Sequence, residues 1–250
     1  MALKVGRIPF LSCEPFYFEM ERRGIELYDV VPSAVGAAAA SGEIDAGPMP
    51  LVDCFQLDER FRLLSGFCVA TIRRAVSVVL HSKQPIQALS GARIGIPAEA
   101  ATSSRLLQVL LALKYQLSAV AYVTLDDAHD AFLLMGNESL RHRHGVRDHP
   151  NIYDLGEEWY RWTALPFVFA RWIIRKAVDP KEALVLEDML YVGLQDWADG
   201  LFRSSDSRDD LPMHPRDRLE YTQGIRYFIG VPEQRAIDRF GHYLDQLKAL

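Results

Sequence analysis

Short apolar runs recur along the chain, each bounded by Gly, Pro, Asp or Ser: LKVGRIP, LYDVV, IDAGPM, RLLSGFCVA, VSVVLHS, ARIGIP, VAYVTL, AFLLMG and LPFVFARWIIR. Their length and boundaries predict strands. Between and after them lie helical patterns: EPFYFEMERRG, PSAVGAAAASG, TSSRLLQVLLALKYQ and KEALVLEDMLYVGLQDWADGLF. A chain that alternates the two types predicts an α/β fold with largely parallel sheets. The Ala run Ala37 to Ala40, closed by Gly42, reads as a helical packing surface.

Two places suggest a division into lobes. After VSVVLHS, the segment HSKQPIQALSG leads into a fresh strand and helix, the opening of a second α/β unit. LPFVFARWIIRK is long and apolar for one strand, as a segment crossing back between lobes would be. The expected layout is therefore residues 1–82 as the first part of lobe 1, residues 83–174 as an inserted lobe 2, and residues 175–250 as a mainly helical return to lobe 1. The polar tract RSSDSRDDLPMHPRDR, Arg203 to Arg218, is expected to be a long, exposed and mobile connection.

At 250 residues, 49% hydrophobic and 24% charged, the chain can bury a sizeable core. A net charge of −5 argues against nucleic acid, which needs a concentrated basic face, but leaves room for a small anionic ligand met by locally gathered positive groups. MALKVGRIPF lacks the apolar core and cleavage site of a signal peptide, and no stretch approaches the roughly twenty apolar residues of a membrane span. The expected setting is cytoplasmic, without membrane contact. Cys13, Cys54 and Cys68 form no CxxC pair and read as small buried side chains in a reduced compartment, with Cys13 alone at an element boundary.

Familiar catalytic motifs are missing from the sequence: no HExxH, GxGxxG, GxSxG or Walker loop occurs. His142 and His144 in RHRHG stand two apart among charged loop residues, a spacing that suits solvated surface rather than a metal site. No metal or organic cofactor is expected. Asp154 and Glu157 in YDLGEEW have capping-box spacing and read as a helix start. Thr102, Ser103 and Ser104 open an amphipathic helix after the strand ARIGIP. Two readings stand for them: ordinary helix capping, which comes first, and a carboxylate site built from helix N–H groups, the helix dipole and hydroxyls.

The stretch GRIPFLSCEPFY begins as a strand, breaks at Pro9 and places Ser12 and Cys13 at the tip. In this it resembles the opening of the chorismate dehydratases of the futalosine route to menaquinone, usually RIxYLNxxPFY. SGEIDAGPMPLVD is similar to that family's GEIDxxPxSxxE segment. VSVVLHSKQPIQALSGARIGIPAEAATSSRLLQVLL resembles its SVxLxSxxPxxxLxGxxxAxxxxSxTSxxLLxxLL stretch, DAFLLMGNESL its DAxLLIGDxAL, and YDLGEEWYRWTALPFVFARWIIR its YDLGxxWxxxTGLPFVFAxWxxR. The matches run in order from residue 4 to about 176, and YTQGIRYFIGVPE fits more loosely.

The resemblance implies an α/β, two-lobed fold like type II periplasmic binding proteins, with the ligand in the cleft between lobes, beyond the carboxyl ends of strands. It implies loss of water from chorismate, a dianion, to give 3-[(1-carboxyvinyl)oxy]benzoate. Since no obvious His, Lys or carboxylate base emerges, the expected route is substrate-assisted, the enolpyruvyl carboxylate taking the proton. Ser12 and Ser77 are the expected catalytic residues. Thr102, Ser103, Arg73, Met49, Asn137 and Phe167 are the expected substrate contacts. Arg73 is preferred to Arg74 because adjacent strand residues point to opposite faces and Arg73 shares parity with Ser77.

Three positions depart from the family pattern: Ser12 stands where Asn is usual, Arg73-Arg74 where Gly-Pro is frequent, and Asn137 where Asp is usual. The alternatives are a solute-binding-like protein that holds a small aromatic or cyclic carboxylic acid without turnover, and the sensing domain of a regulator.

Overall fold

The computed structural model describes residues 3–200 and 211–249. In chain order the strands are β1 (Lys4–Arg7), β2 (Glu26–Asp29), β3 (Ala46–Pro50), β4 (Phe61–Thr71), β5 (Val78–Ser82), β6 (Arg93–Ile96), β7 (Ala121–Thr124), β8 (Ala131–Met135), β9 (Asn151–Asp154), β10 (Phe167–Arg175) and β11 (Ile225–Phe228). They form two sheets, ordered β11-β4-β10-β3-β1-β2 and β7-β6-β8-β5-β9. Both are mixed rather than largely parallel. In the first, β1 is parallel to β2 and β3, whereas β10 runs against β3. In the second, β6 is parallel to β7 and β8, whereas β5 runs against both β8 and β9. The antiparallel neighbours β5 and β10 are strands by which the chain enters or leaves a unit.

The chain packs as two compact units, Met1–Val69 with Phe169–Ile229, and Ala70–Val168 with Gly230–Leu250. These breaks differ from the expected 82 and 174. The larger difference is at the end of the chain: the helix Val231–Lys248 belongs with the second unit, not with the first. Its apolar side explains why. Phe240, fully buried, meets Trp159 at 5.9 Å and Phe167 at 5.0 Å, both edge-on, and Trp159 meets Phe167 at 5.2 Å. The Trp159 indole N–H donates to the Pro166 carbonyl at 2.9 Å. Each edge-on pair adds about 0.5–1.5 kcal/mol to simple burial, enough to set where an amphipathic helix docks.

In the first unit, Phe16 sits edge-on to Trp172 at 5.2 Å and to Tyr227 at 5.1 Å. The segment expected as one helix, EPFYFEMERRG, is instead two short 3-10 turns, Glu14–Tyr17 and Glu21–Arg23. Consecutive Phe16 and Tyr17 are both buried, and Glu19 adopts φ of 56° between the turns, so no single helical face serves them. Strands β9 and β11 were not anticipated; their exposed Ile152 and Phe228 and their short length hide them in the sequence pattern. The helix from Thr102 is α-helical to Val109 and widens to a π turn over Leu110–Lys114. The expected mobile tract lies outside the described residues from 203 to 210. From 211 onward the tract buries Leu211 and Met213 and enters a helix at Pro215–Gln223. Among the described residues no helix is long and apolar enough to cross a membrane.

Candidate functional site

One end of the second sheet gathers four of the expected residues. The parallel strands β6 and β8 finish there, the first leading to Thr102 and Ser103 at a helix start, the second to Asn137 in the first turn of the helix Gly136–Arg141. Because β5 is antiparallel to β8, with Val78 opposite Met135, Ser77 enters β5 at that same end. The Gly136 amide donates to the Ser77 carbonyl at 2.8 Å, which ties the Asn137 helix to Ser77 directly. Strand β9 also ends there, with Asp154 opposite Val79. Ser77, Thr102, Ser103 and Asn137 are all buried. Carboxyl ends of parallel strands are where open α/β sheets bind ligands, since helix starts and their N–H groups converge there.

Local structure revises two expectations. Ser77 is not in the strand but in a turn ahead of it, where Val76 has φ of +61°. The parity argument for Arg73 therefore has no basis, because alternation holds only along extended backbone. Arg73 is exposed, and its guanidinium lies 5.2 Å from the centre of the Tyr160 ring. Arg74 instead approaches Asp154 at 4.0 Å and Glu157 at 3.9 Å. Nor do Thr102 and Ser103 cap their helix. The N-cap residue is Ala101, which has no side-chain acceptor, and Thr102 and Ser103 are the first two helical residues. Ser104 turns its hydroxyl back to the Ala101 carbonyl at 2.8 Å.

Asp154 does more than cap. It accepts the Glu157 amide at 3.0 Å, as the spacing predicts, but also the amides of Ala75 at 2.9 Å and Val76 at 2.7 Å. Burial pushes its pKa up, against the pull of those three N–H donors and of Arg74. Phe167 is 1% exposed, with its ring committed to the Trp159 and Phe240 cluster.

The first unit has its own gathering of groups, where the parallel strands β1 and β3 end. After β1, successive tight turns carry the chain to Ser12: Phe10 donates to the Ile8 carbonyl and Cys13 to the Phe10 carbonyl, each at 2.8 Å, and the Ile8 amide donates to the Tyr17 hydroxyl at 3.0 Å. Ser12 is buried, its Oγ 3.9 Å from Cys13 Sγ. Burial pushes the Cys13 thiol up to about 12, so it stays protonated and is a packing group. Met49, also buried, lies in β3 opposite Arg171 of β10. Arg171 escaped the sequence reading. Its Nε is buried and has no hydrogen-bond partner among the described residues, and its sequence signal is a lone charge inside FVFARWII.

His142 follows the helix Gly136–Arg141, its Nδ1 3.0 Å from the Glu138 carbonyl oxygen. Among the described residues no group of three or more His, Cys, Asp or Glu is placed to hold a metal ion.

Comparison with known proteins decides the family. Residues 3–246 match the family model described as menaquinone biosynthesis. The chain belongs to the menaquinone biosynthesis family. A chorismate dehydratase of Thermus thermophilus is 26% identical over 264 residues, covering 96% of this chain and 94% of the relative. Among solved structures, protein AF1704 of Archaeoglobus fulgidus aligns with a TM-score of 0.73 at 14% identity, over 100% of this chain and 98% of the other. The alkanesulfonate-binding protein SsuA of Xanthomonas axonopodis pv. citri, bound to MOPS, aligns at 0.66 and 14% identity over 99% and 92%. The Candida albicans CA3427 gene product, described as having the generic periplasmic binding protein fold, aligns at 0.63 and 13% identity over 100% and 91%. At these identities the structures speak for the fold alone, and this family member has the periplasmic-binding-protein fold.

Proposed function

We propose that this protein is a chorismate dehydratase, a carbon–oxygen lyase that removes water from chorismate to give 3-[(1-carboxyvinyl)oxy]benzoate. The observation that carries the reading is the match to the menaquinone biosynthesis family over residues 3–246, together with the chorismate dehydratase relative that spans 96% of the chain. The chemistry at the second sheet's end supports it. Hydroxyl, amide and helix-start groups suit the orientation of a dianion, and the buried Asp154 carboxylate at that end is engaged by three backbone N–H groups.

In the proposed reaction the ring carbon bearing the enolpyruvyl ether loses its proton to the substrate's own enolpyruvyl carboxylate. The C–H electron pair forms the new ring double bond as hydroxide leaves the neighbouring carbon, and proton and hydroxide depart as water. Aromatisation supplies the drive, so the protein's task is to hold the dianion in a reactive conformation. Ser77 hydrogen-bonds the substrate near the reacting carbons, and Thr102 and Ser103, with their helix start, hold a carboxylate. Asn137 and Ser12 contribute polar contacts, Ser12 toward the leaving oxygen. Met49 lines the site. Arg171 serves as a cationic contact in place of Arg73. The Phe167 ring serves the core that supports β10.

The test is incubation of the purified protein with chorismate, following the aromatic enolpyruvyl ether by absorbance and mass. Product formation with loss of water is the expected result. Binding of the aromatic acid with no turnover would favour a solute-binding role.

A further inference from the structure

The turn that precedes Ser77 is built against the preference of its own residues. Val76 adopts φ of +61°. A β-branched residue in the left-handed region is a true outlier, because its Cβ substituents crowd the backbone, and such strain persists only where the surroundings over-determine it.

The surroundings here are specific. The Asp154 carboxylate takes the Ala75 amide on Oδ1 at 2.9 Å and the Val76 amide on Oδ2 at 2.7 Å, using both oxygens on successive peptides. Ser139 Oγ donates to the Val76 carbonyl at 3.2 Å, so the strained residue is held through the peptide on each side of it. Gly156 makes the approach possible, since a Cβ there would lie 2.8 Å from the Ala75 nitrogen and 3.1 Å from the Arg73 carbonyl oxygen. Downstream, the Ser77 amide donates to the Ala75 carbonyl at 2.6 Å and Ser77 Oγ donates to the same oxygen at 3.3 Å. The direction in which the Ser77 hydroxyl leaves the backbone is thus set by the turn, and the turn is set by Asp154.

We propose that Asp154 is the positioning residue for Ser77: its two carboxylate oxygens hold the Ala75–Val76 turn in a left-handed conformation that aims the Ser77 hydroxyl at the reacting part of the substrate. This rests on the dehydratase reading. Helix capping alone needs only one acceptor, which Asn supplies as well as Asp. Holding two successive amides needs both oxygens, and Asn would present an N–H₂ donor to one of them. Asp154→Asn therefore separates the two roles.

The experiment measures chorismate turnover for the parent protein, Asp154→Asn, Ser77→Ala and the double variant, with hydrogen exchange of the Ala75 and Val76 amides followed in each. Asp154→Asn is expected to lower kcat about tenfold or more, with KM within about twofold, since aim rather than ground-state binding is lost. Once Ser77 is already Ala, the same change is expected to cost less than about threefold, the non-additivity of two residues acting as one device. Val76→Gly, which takes the left-handed conformation without strain, is expected to restore at least about threefold of the turnover lost in Asp154→Asn. If Asp154→Asn fails to fold, Ser139→Ala, which removes the hydrogen bond to the peptide that follows Val76, carries the same cycle with the same expectations. Equal loss in the parent and Ser77→Ala backgrounds would overturn the proposal while leaving the dehydratase reading intact. An inactive parent protein would remove the reading and the proposal together.

Discussion

The Ala75 amide nitrogen stands 2.8 Å from the point where any side chain at Gly156 would begin. The helix Leu155–Thr163 meets the turn before Ser77 only because residue 156 has no Cβ. Gly156→Ala is expected to displace that turn, costing about 1–3 kcal/mol of stability as overpacking does, and to lower chorismate turnover along with it. Urea denaturation beside an activity assay checks both, and an unchanged midpoint would mean the contact relaxes without cost.

The same helix ends on Ala164 at φ of +57°. An L-residue with a Cβ costs roughly 1–2 kcal/mol there relative to glycine's freedom, part of which glycine returns as greater entropy of the unfolded chain. Ala164→Gly should therefore stabilise the protein by about 0.5–1 kcal/mol with turnover unchanged. A lowered thermal midpoint would contradict this.

Thr102 opens a helix whose N-cap, Ala101, supplies no side-chain acceptor. If its hydroxyl and the helix start hold a substrate carboxylate, Thr102→Ala should weaken binding of the aromatic product by about 1–2 kcal/mol, the scale of a hydrogen bond to a charged group. Calorimetry reads it; equal affinity in a folded variant would remove Thr102 from the binding set.

Ser12 ends a series of tight turns after β1 and is buried. Ser12→Asn should maintain or raise turnover by offering an amide that donates to the leaving oxygen while accepting from a neighbour. Ser12→Val, which has no hydrogen-bonding group, should lower it. A folded Ser12→Asn protein without activity would mean that the site is built around the smaller hydroxyl, and full activity in Ser12→Val would place the loop outside the chemistry.

His81 in β5 is 1% exposed and stacks on Phe132 at 5.4 Å and 18°. Burial, with the neighbouring His142 and His149, pushes its pKa down to about 4. The unfolded chain takes up this proton near pH 6.5, whereas the folded chain does so only near 4. The folded form is therefore favoured by the neutral ring above pH 6.5, and that advantage is lost as pH falls from about 6.5 to about 4, beyond which both states are protonated. His81→Phe keeps an aromatic ring on Phe132 and removes the titration. Its stability relative to the parent should rise on the order of 2 kcal/mol between pH 7 and pH 4.5 in urea melts; a constant difference across that range would show that His81 does not titrate as a buried neutral ring.

Much of this architecture was legible in the residues themselves. Strands such as β3 and β8 are apolar runs with clear stops, and continuous burial leaves that mark on a sequence whatever lies beside it. The ordered motifs from GRIPFLSCEPFY to LPFVFARWIIR were enough to indicate the family. Other features were decided elsewhere in the chain. V-S-V-V reads locally as strand, yet Val76 is left-handed because a carboxylate 78 residues later accepts its amide. Asp154 reads as a helix cap because its reach to Ala75 and Val76 leaves no periodic trace. The last helix reads as part of the return to the first lobe, and it is Phe240, meeting Trp159 and Phe167, that assigns it to the second unit. Local propensity and apolar period are properties of neighbouring residues, so the sequence carries them openly; a hydrogen bond to one backbone N–H and the seat of one ring depend on which distant segment arrives beside them, and only the folded chain determines that.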